Sequence, residues 1–401
     1  MRAPCGSVRH GAVVPPWGRG VKVFLVAGEP SGDRLGGDLM AGLKALRPDV
    51  TFKGVGGPEM QAEGLESLFD MSELSVMGLA EILPKYRALK ARIRQTAQAV
   101  LDAQPDVLIT IDSPDFSFRV AKLVKAGSDI RTVHYVAPSV WAWRPGRAKR
   151  MAAYIDHVLA LLPFEPSLME AAGMTCDFVG HPVVADPVAS DDDANDFREE
   201  NGIGGAPILL VLPGSRKAEV ARLADIFGDA LTLLLARRPD IRVVVPAAHA
   251  VADDVRAAVA GWPGDPLVLD PRDPGDAKAR KRAAFRAADV ALAASGTVSL
   301  ELAAASTPMV IAYKVNWLTF AIVKAIALID TVTLVNLVSE TRVVPEYLGR
   351  DCTAEGIAEG LRAVLAHPEA QEAAMAVTMD RLGRRGVPPG LRAARSVLAA
   401  I

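Results

Sequence analysis

A near-continuous apolar run, 107–111, ends abruptly in an acid, Asp112, and this pattern constrains the chain more than any other. Runs of this length are typical of parallel strands that are buried on both faces. A helical pattern and a second strand, 131–136, follow, which predicts a strand–helix–strand unit. Ligands of open parallel sheets bind beyond the carboxyl ends of the strands. We therefore predict that Asp112 is a functional acid that acts as a general base.

The first strand-like run of the chain, 21–27, leads into a loop that carries Glu29, Ser31 and Asp33. This loop departs from the dinucleotide-binding fingerprint, because its glycines fall at 28, 32, 36 and 37. Its two acids would also repel a pyrophosphate placed at the start of the following helix. A neutral, hydroxyl-rich ligand such as a sugar is favoured. The alternative is that Ser31 only caps the helix.

The loop after the second strand, 137–144, places Trp141 and Trp143 beside Arg144. Aromatic side chains among cations stack nucleic-acid bases in some proteins and bind phosphorylated, partly apolar ligands in others. A net charge of −2 and the lack of an RNA-binding signature favour the second interpretation, so we predict no nucleic-acid partner. His181, in a loop between glycine and proline, joins Trp141 and Arg144 as a candidate for the same ligand.

The second half of the chain starts afresh with a strand-like run, 207–212, whose loop has the opposite chemistry. Backbone donors, a hydroxyl and a cation meet there at a helix start, which suits a phosphate. A later helix start offers small hydroxyl residues, with a glutamate one turn on that can accept from ribose hydroxyls. Ordinary helix capping is the alternative at each place. The candidates are Ser215, Arg216, Ser295, Gly296, Thr297 and Glu301.

These two alternating halves predict an α/β protein with two Rossmann-like domains facing across a cleft. A chain of 401 residues, half of them apolar, is long enough for each domain to bury its own core. One half offers a base and the other a diphosphate and ribose cradle, which describes a nucleotide-sugar glycosyltransferase. The predicted segments are a disordered lead-in at 1–20, an acceptor domain at 21–187, a nucleotide-sugar domain at 188–350 and C-terminal helices at 351–401.

Several classes of site are excluded by the composition. The three cysteines are scattered, which favours a reducing compartment over a disulfide framework. The six histidines show no pairing at ligand spacing, so we predict no structural metal. No apolar window reaches the length of a bilayer span, and the nearest approach, 317–329, is short and carries Lys324.

A basic cluster follows a weakly charged apolar segment, 71–83. An apolar surface beside such a cluster suits an anionic membrane, where each basic residue adds about 1 kcal/mol. An amphipathic helix with a solvated basic face explains the pattern equally well. The cluster consists of Lys85, Arg87, Lys90, Arg92 and Arg94.

Eleven motifs, found between about Val21 and Leu348, carry a resemblance to a known family. They are AGEPSGD (27–33), GVGGPEMQAEG (54–64), MGLAEIL (77–83), IDSPDF (111–116), YVAPSVWAWRPGR (135–147), LPFEP (162–166), FVGHPVVAD (178–186), LPGSRKAEV (212–220), ASGTVSLE (294–301), PMVIAY (308–313) and NLVSETRVVPEYL (336–348). With these motifs in this order, the chain resembles the lipid-A-disaccharide synthases, bacterial glycosyltransferases of the two-domain GT-B architecture.

The resemblance implies a reaction without metal or cofactor. Diacylglucosamine passes from UDP-2,3-diacylglucosamine to 2,3-diacylglucosamine 1-phosphate, which gives the β(1→6)-linked disaccharide 1-phosphate and UDP. By position, Asp112 matches the family's base and Ser31 a polar position of the first loop. Arg216 matches an arginine near the diphosphate and Asn336 a site asparagine, although Val335 stands where the family often has proline.

The resemblance also implies a location and partners. Acylated substrates place such an enzyme in the cytoplasm, peripheral on the inner face of the inner membrane, against an anionic surface. The family's C-terminal segment, here 351–401, crosses back to the first domain and can be exchanged between subunits, which leaves a homodimer open.

Two alternatives stay open on the residues. One is a UDP-sugar 2-epimerase on the same scaffold, which needs carboxylates around C2 of the bound sugar and leaves the apolar surface unexplained. The other is a non-catalytic nucleotide-sugar or lipid-binding protein. An Asp112→Ala variant separates enzyme from binding protein, because only the enzyme loses turnover while UDP still binds.

Overall fold

A computed structural model describes residues 20–74, 79–314 and 326–401, with residues 79–86 described by their backbone alone. Most of the predicted lead-in, the side chains of 75–86 and most of the apolar stretch 317–329 therefore lie outside the described part. The chain divides into two compact units, one ending at Thr132 and the other running from Val133 to Ala400. The predicted boundaries at 187 and 350 stay predictions.

Strands and helices alternate along the chain, as the apolar runs and helical patterns predict. Up to residue 200 they are β1 (Lys22–Ala27), α1 (Pro30–Leu46), β2 (Thr51–Val55), α2 (Pro58–Ala62), β3 (Glu66–Ser67), α3 (Leu79–Ala103), β4 (Val107–Ile111), α4 (Pro114–Gly127), β5 (Arg131–Tyr135), α5 (Gly146–Met151), β6 (His157–Ala160), α6 (Glu165–Glu170), β7 (Thr175–Phe178) and α7 (Asp191–Glu200). The remaining elements are β8 (Ile208–Leu212), α8 (Lys217–Leu235), β9 (Arg242–Pro246), α9 (Ala252–Val259), β10 (Leu267–Leu269), α10 (Ala277–Ala287), β11 (Val290–Ala294), α11 (Val298–Ala304), β12 (Met309–Tyr313), α12 (Leu334–Ser339), β13 (Glu346–Leu348), α13 (Ala354–Ala366), α14 (Glu369–Arg381) and α15 (Pro389–Ala400).

The strands form two sheets, in the orders β3-β2-β1-β4-β5-β6-β7 and β10-β9-β8-β11-β12-β13. The described pairings are parallel, and the predicted class of two parallel-sheet α/β domains is confirmed. In each sheet the chain runs outward from one strand and then returns to that strand's other side. The reversals lie between β1 and β4 and between β8 and β11, which is where open sheets bind ligands.

The apolar runs that predicted buried strands are buried. β4, β8 and β11 are buried along their whole length, and β1 is buried from Val23 onward. Helix α1 places Leu35, Leu39 and Leu43 in the core, whereas Leu46, which shares their helical spacing, is half-buried. Burying each such side chain contributes roughly 1.5–3 kcal/mol, so these runs hold the loops that follow them at fixed positions.

The C-terminal helix α15 packs against strands laid down much earlier in the chain. The Ser396 hydroxyl lies 2.8 Å from Nε2 of buried His157 on β6 and donates to the Asp177 carboxylate at 2.7 Å. Arg392 donates to the Phe178 carbonyl at 2.5 Å and lies over its ring, 4.8 Å from the centroid. These contacts fasten the end of the chain to β6 and β7.

Candidate active site

Asp112 and Ser113 form the turn between β4 and α4, and both have a left-handed backbone, with φ of 49° and 41°. Non-glycine residues adopt this conformation at a cost of about 1–3 kcal/mol, where surrounding bonds hold it. The Ser113 carbonyl accepts from the amides of Phe116 and Ser117, and the Asp112 carbonyl accepts from the Ser117 hydroxyl at 2.7 Å. The Asp112 side chain is half-buried, and no residue of the described part bonds to its carboxylate.

The turn that follows β1 touches the turn that follows β4. Ala27 and Ile111 are paired in register, so the two loops leave the sheet side by side. A Cβ on Gly28 would lie 2.8 Å from the Ser113 hydroxyl oxygen, so this approach requires glycine. That hydroxyl is buried and has no hydrogen-bond partner within the described ranges. Gly28 thus lets the loop after β1 approach the serine that follows Asp112.

Asp33 is buried and fully engaged. It is 2% exposed, and its carboxylate accepts from the backbone amides of Gly57 (2.7 Å), Glu59 (3.0 Å) and Met60 (3.1 Å). It therefore fixes the loop after β2 beside the loop after β1. Glu29 and Ser31, by contrast, are exposed at the start of α1. Glu29 is the N-cap and no side chain caps this helix, so the capping alternative for Ser31 is not what the structure has.

Trp141 is held by an acid that the sequence did not single out. Its indole Nε1 donates to Glu165 Oε1 at 3.2 Å, and its ring meets Phe164 edge-on at 5.5 Å. Glu165 Oε2 also accepts from the amides of Leu161 and Leu162, at 3.1 and 2.9 Å. Burial raises the pKa of the Glu165 carboxyl to about 7, although these hydrogen bonds lower it. The LPFEP motif thus packs against the tryptophan loop.

The outer part of the same loop is exposed. Trp143 is 39% exposed, and the Arg144 guanidinium lies 4.2 Å from its ring centroid, a cation–π contact. Arg144 has a left-handed backbone, with φ of 53°. His181 lies elsewhere in the same unit, where Nδ1 accepts from the Val183 amide and its own amide donates to the Leu382 carbonyl. Trp143 therefore lies with Arg144 in the exposed part of the loop, although the prediction named Trp141, Arg144 and His181 and not Trp143.

In the second sheet, Ser215 and Arg216 form the turn from β8 into α8, as predicted. Gly214 has φ of 125°, which favours glycine, and a Cβ there would collide with Glu219. Glu219 accepts from the Ser215 amide at 3.1 Å and from the Arg216 guanidinium at 3.2 Å. The Arg216 side chain is 66% exposed and that of Glu219 is 12% exposed. An internal carboxylate therefore meets the donors that the sequence assigned to a phosphate.

The loop after β11 adjoins this turn, because Leu212 and Ala293 are paired in register. Ser295 is half-exposed and Gly296 and Thr297 are exposed. Thr297 is the N-cap of α11 but makes no side-chain cap bond, so the capping alternative fails here too. Glu301 is half-buried, and its Oε2 lies 2.7 Å from Lys281 Nζ on α10. Lys281 was not predicted, since it is distant in sequence from every motif.

Asn336 is buried, and its amide is used to hold backbone. Its Oδ1 accepts from the Val344 amide at 3.0 Å, and its Nδ2 donates to the Val344 carbonyl at 3.0 Å and to the Thr331 hydroxyl. Glu346 accepts from that same Thr331 hydroxyl at 2.7 Å and from the Val332 and Thr333 amides. Val335, which departs from the family pattern, is fully buried in α12. This asparagine thus shapes the segment around 331–344.

The basic cluster after the apolar segment contains one residue that is paired with an acid and three that are exposed. Arg92 is paired with Glu73 at 2.7 Å and lies over the Phe69 ring, whereas Arg87, Lys90 and Arg94 are exposed. Within the described residues no helix is long and apolar enough to cross a membrane, and no cluster of candidate metal ligands is found. Lys85 lies outside the described side chains.

Comparison with known proteins gives strong sequence matches. The family model "Lipid-A-disaccharide synthetase" matches residues 23–386. A lipid-A-disaccharide synthase of Ruegeria pomeroyi is 68% identical over 383 residues, which cover 95% of this chain and 96% of that protein. A lipid-A-disaccharide synthase of Rhodospirillum centenum is 48% identical over 385 residues, or 94% of each chain.

Solved structures of low identity share the fold. The S. aureus MnaA–UDP complex has a TM-score of 0.61 at 12% identity and covers 95% of this chain and 98% of that one. The kitacinnamycin glycotransferase has a TM-score of 0.60 at 15% identity, with 95% and 99% covered. UDP-GlcNAc 2-epimerase of Neisseria meningitidis, bound to UDP-GlcNAc, has a TM-score of 0.59 at 12% identity, with 94% and 99% covered. At such identities these likenesses concern the fold alone.

Proposed function

This chain belongs to the lipid-A-disaccharide synthase family, and we propose that it transfers 2,3-diacylglucosamine from its UDP derivative to 2,3-diacylglucosamine 1-phosphate. The bond between the anomeric carbon and the UDP oxygen breaks as the acceptor 6-hydroxyl oxygen attacks that carbon. One in-line displacement inverts the configuration and releases UDP. The products are the β(1→6)-linked disaccharide 1-phosphate and UDP.

Asp112 takes the proton of the attacking hydroxyl in this proposal. The observation that carries it is the half-buried carboxylate at the end of β4, in a fixed left-handed turn beside the loop of β1. The hydroxyl needs to lose its proton only as the new bond forms, so a carboxylate is basic enough. A positioned base of this kind contributes about 10²–10⁴-fold to the rate.

The UDP group is assigned to the loops of the second sheet. Arg216 and the Ser215 amide suit the diphosphate, and the exposed loop of Ser295, Gly296 and Thr297 adjoins them. Glu301 suits the ribose hydroxyls, with Lys281 at 2.7 Å as its neighbour. Asn336 contributes by shaping the segment around Val344. No metal or cofactor is invoked, since a guanidinium and backbone donors can stabilise the charge of the leaving group.

The acceptor is assigned to exposed groups of the first sheet's loops, with Asp33 in a supporting role. Glu29 and Ser31 suit sugar hydroxyls, whereas Arg144 suits the phosphate and the aromatic side chains suit its apolar part. His181 and Trp141 complete the proposed set. Arg87, Lys90 and Arg94 are proposed to hold the enzyme on the anionic inner face of the inner membrane, in the cytoplasm. Assembly as a homodimer is part of the same proposal.

The test is an assay of Asp112→Asn with labelled diacylglucosamine 1-phosphate and its UDP derivative. We expect kcat to fall at least about a hundredfold while the Kd of UDP stays within about twofold. Asp115→Asn, an exposed acid three residues on, is the matched control and should keep its activity. Retained turnover in Asp112→Asn would refute the base. Conversion of the UDP-sugar alone into its 2-epimer would favour the epimerase alternative.

A further inference from the structure

The side chain of Glu165 is the starting point, because it is buried and yet directed at a functional loop. It is 3% exposed, and its two oxygens accept three hydrogen bonds, one from the Trp141 indole and two from the backbone of Leu161 and Leu162. Carboxylates are almost never buried unless they are engaged in this way. Its only side-chain partner in the described part is Trp141, 24 residues earlier.

The loop that Glu165 reaches is held in an unfavourable conformation. Val136, at the start of the 136–144 loop, has φ of 84°, which is a genuine outlier for a β-branched residue, and Arg144 at its end has φ of 53°. Such strain persists where surrounding bonds over-determine the backbone, and it clusters at binding and catalytic sites. The Val136 amide donates to the Leu159 carbonyl at 3.0 Å, and the Ala142 carbonyl accepts from the Leu328 amide at 3.0 Å.

The loop has an anchored part and a presented part. Trp141 is the anchored part, because it bonds to Glu165, meets Phe164 edge-on and packs against the buried core around Leu162 and Val183. Trp143 and Arg144 are the presented part, since both are exposed and the guanidinium lies over the indole ring. A flat apolar ring with a cation beside it matches a sugar that carries a phosphate.

We propose that Glu165 is a positioning residue for the acceptor: it anchors the Trp141 indole and thereby sets the 136–144 loop so that Trp143 and Arg144 meet the phosphorylated sugar. The inference rests on the proposed function for the identity of that ligand. It assigns ligand contact to Trp143 and a supporting role to Trp141. The motif contains both tryptophans and does not distinguish these two roles.

The ionisation of Glu165 gives the anchor a pH dependence. Burial raises its pKa to about 7, so near neutral pH the carboxylate that accepts three bonds competes with a protonated form that can accept fewer. The buried thiol of Cys176 on β7 lies in the field of Glu165, Asp177 and Glu170, and burial raises its pKa to about 12, so it stays neutral.

The kinetic test uses the full-length protein with Glu165→Gln and Trp141→Phe, of which the second removes the indole donor and keeps a ring for packing. At about pH 8, each variant should raise the acceptor KM about tenfold, the effect of one charge-assisted hydrogen bond, with the KM of the UDP-sugar unchanged. The double variant should be no worse than either single one, because both remove the same contact. Glu170→Gln, an exposed acid on the same helix, is the matched control.

A second readout does not depend on the reaction. The indole N–H resonance of Trp141, assigned by its loss in Trp141→Phe, should titrate in the wild-type protein with a midpoint near the Glu165 pKa of about 7 and should not titrate in Glu165→Gln. An acceptor KM that stays within about twofold in both variants, or additive effects, would overturn the proposal. An indole resonance that ignores Glu165→Gln would overturn the anchor itself. Absence of disaccharide synthesis in the wild-type protein, with the titration intact, would instead refute the proposed function.

Discussion

The two sheets reverse direction in the same way, yet the loops at their reversal points carry opposite chemistry. At β1 and β4 the charged side chains are acids: the Asp33 carboxylate accepts from three backbone amides, whereas the Asp112 carboxylate is bonded to no described residue. At β8 and β11 the loops gather a guanidinium and backbone donors, and Lys281 on α10 adds an ammonium; internal carboxylates already pair with both cations. Topology thus fixes where a site lies, whereas the side chains decide which class of ligand it accepts.

The engaged acids of the two regions also differ in how firmly they are held. Asp33 is buried against three donors, so replacing it leaves buried amides without partners. Glu219 and Glu301 make ion pairs with partly exposed cations, which contribute about 0–1 kcal/mol and exchange readily with an incoming anion. The contacts of Asp33 at β1 and β4 are therefore expected to be permanent, whereas the ion pairs at β8 and β11 are expected to exchange when an anion binds.

Asp33→Ala, which tests the firmly held acid of the first sheet, is expected to have the largest effect. Three buried or partly buried amides lose a charged acceptor, so the free energy of unfolding should fall by about 4 kcal/mol in chemical denaturation. Glu29→Gln, an exposed acid in the same loop, should change stability by less than about 0.5 kcal/mol. Equal effects of the two substitutions would show that Asp33 is not the fixed element described above.

Glu165→Gln tests a third kind of engaged acid, which is buried and forms no ion pair with any residue of the described ranges. Its pKa of about 7 lies above the ordinary 4.5, so the folded protein binds the proton more tightly than the unfolded chain. Between about pH 4.5 and pH 7, the wild-type free energy of unfolding should therefore fall by about 3 kcal/mol relative to Glu165→Gln as the pH rises. Urea denaturation of both proteins across this range measures the difference. If the free energies of unfolding of the two proteins change equally with pH, burial does not raise the pKa of Glu165.

Arg216→Ala tests whether the second region is the anion site. Loss of a charge-assisted contact to a diphosphate should weaken UDP binding about a hundredfold in isothermal titration calorimetry. Lys217→Ala is the matched control, because this lysine is an exposed neighbour whose described partner is Asp254 at 3.5 Å. Similar losses in both variants would point to the overall positive field instead of a specific arginine.

Glu219→Gln gives the smallest expected effect. If the carboxylate competes with the diphosphate for the Ser215 amide and Arg216, removing its charge should tighten UDP binding by about threefold. Calorimetry against the wild-type protein measures this change. Weaker binding would mean that Glu219 supports the turn, and the second region would then resemble the first.

The sequence predicted the parts of this arrangement that depend on local patterns. Apolar runs located β1, β4 and β8, and the acid or glycine after each run located the loop that follows it. These features follow from period and burial, which neighbouring residues determine.

Contacts between distant residues could not be predicted in this way. Trp141 bonds to Glu165, and Glu301 pairs with Lys281. The residues that flank these partners in the sequence do not indicate either contact. Asp33 and Asn336 were both proposed as ligand contacts, yet the Asp33 carboxylate bonds to backbone amides and the Asn336 amide to backbone and the Thr331 hydroxyl. The left-handed backbone of Asp112 and Ser113 was also not predicted, because neither residue is glycine, the residue type that usually indicates such a turn.

The fastening of α15 has a consequence for biosynthesis. His157 of β6 is joined to Ser396, 239 residues later, and Phe178 to Arg392, 214 residues later. A ribosome adds about 5–20 residues per second, so β6 and β7 wait for tens of seconds before the helix that covers them exists. Their final packing therefore waits for the synthesis of α15, and a nascent chain must keep these strands from pairing elsewhere until that helix emerges.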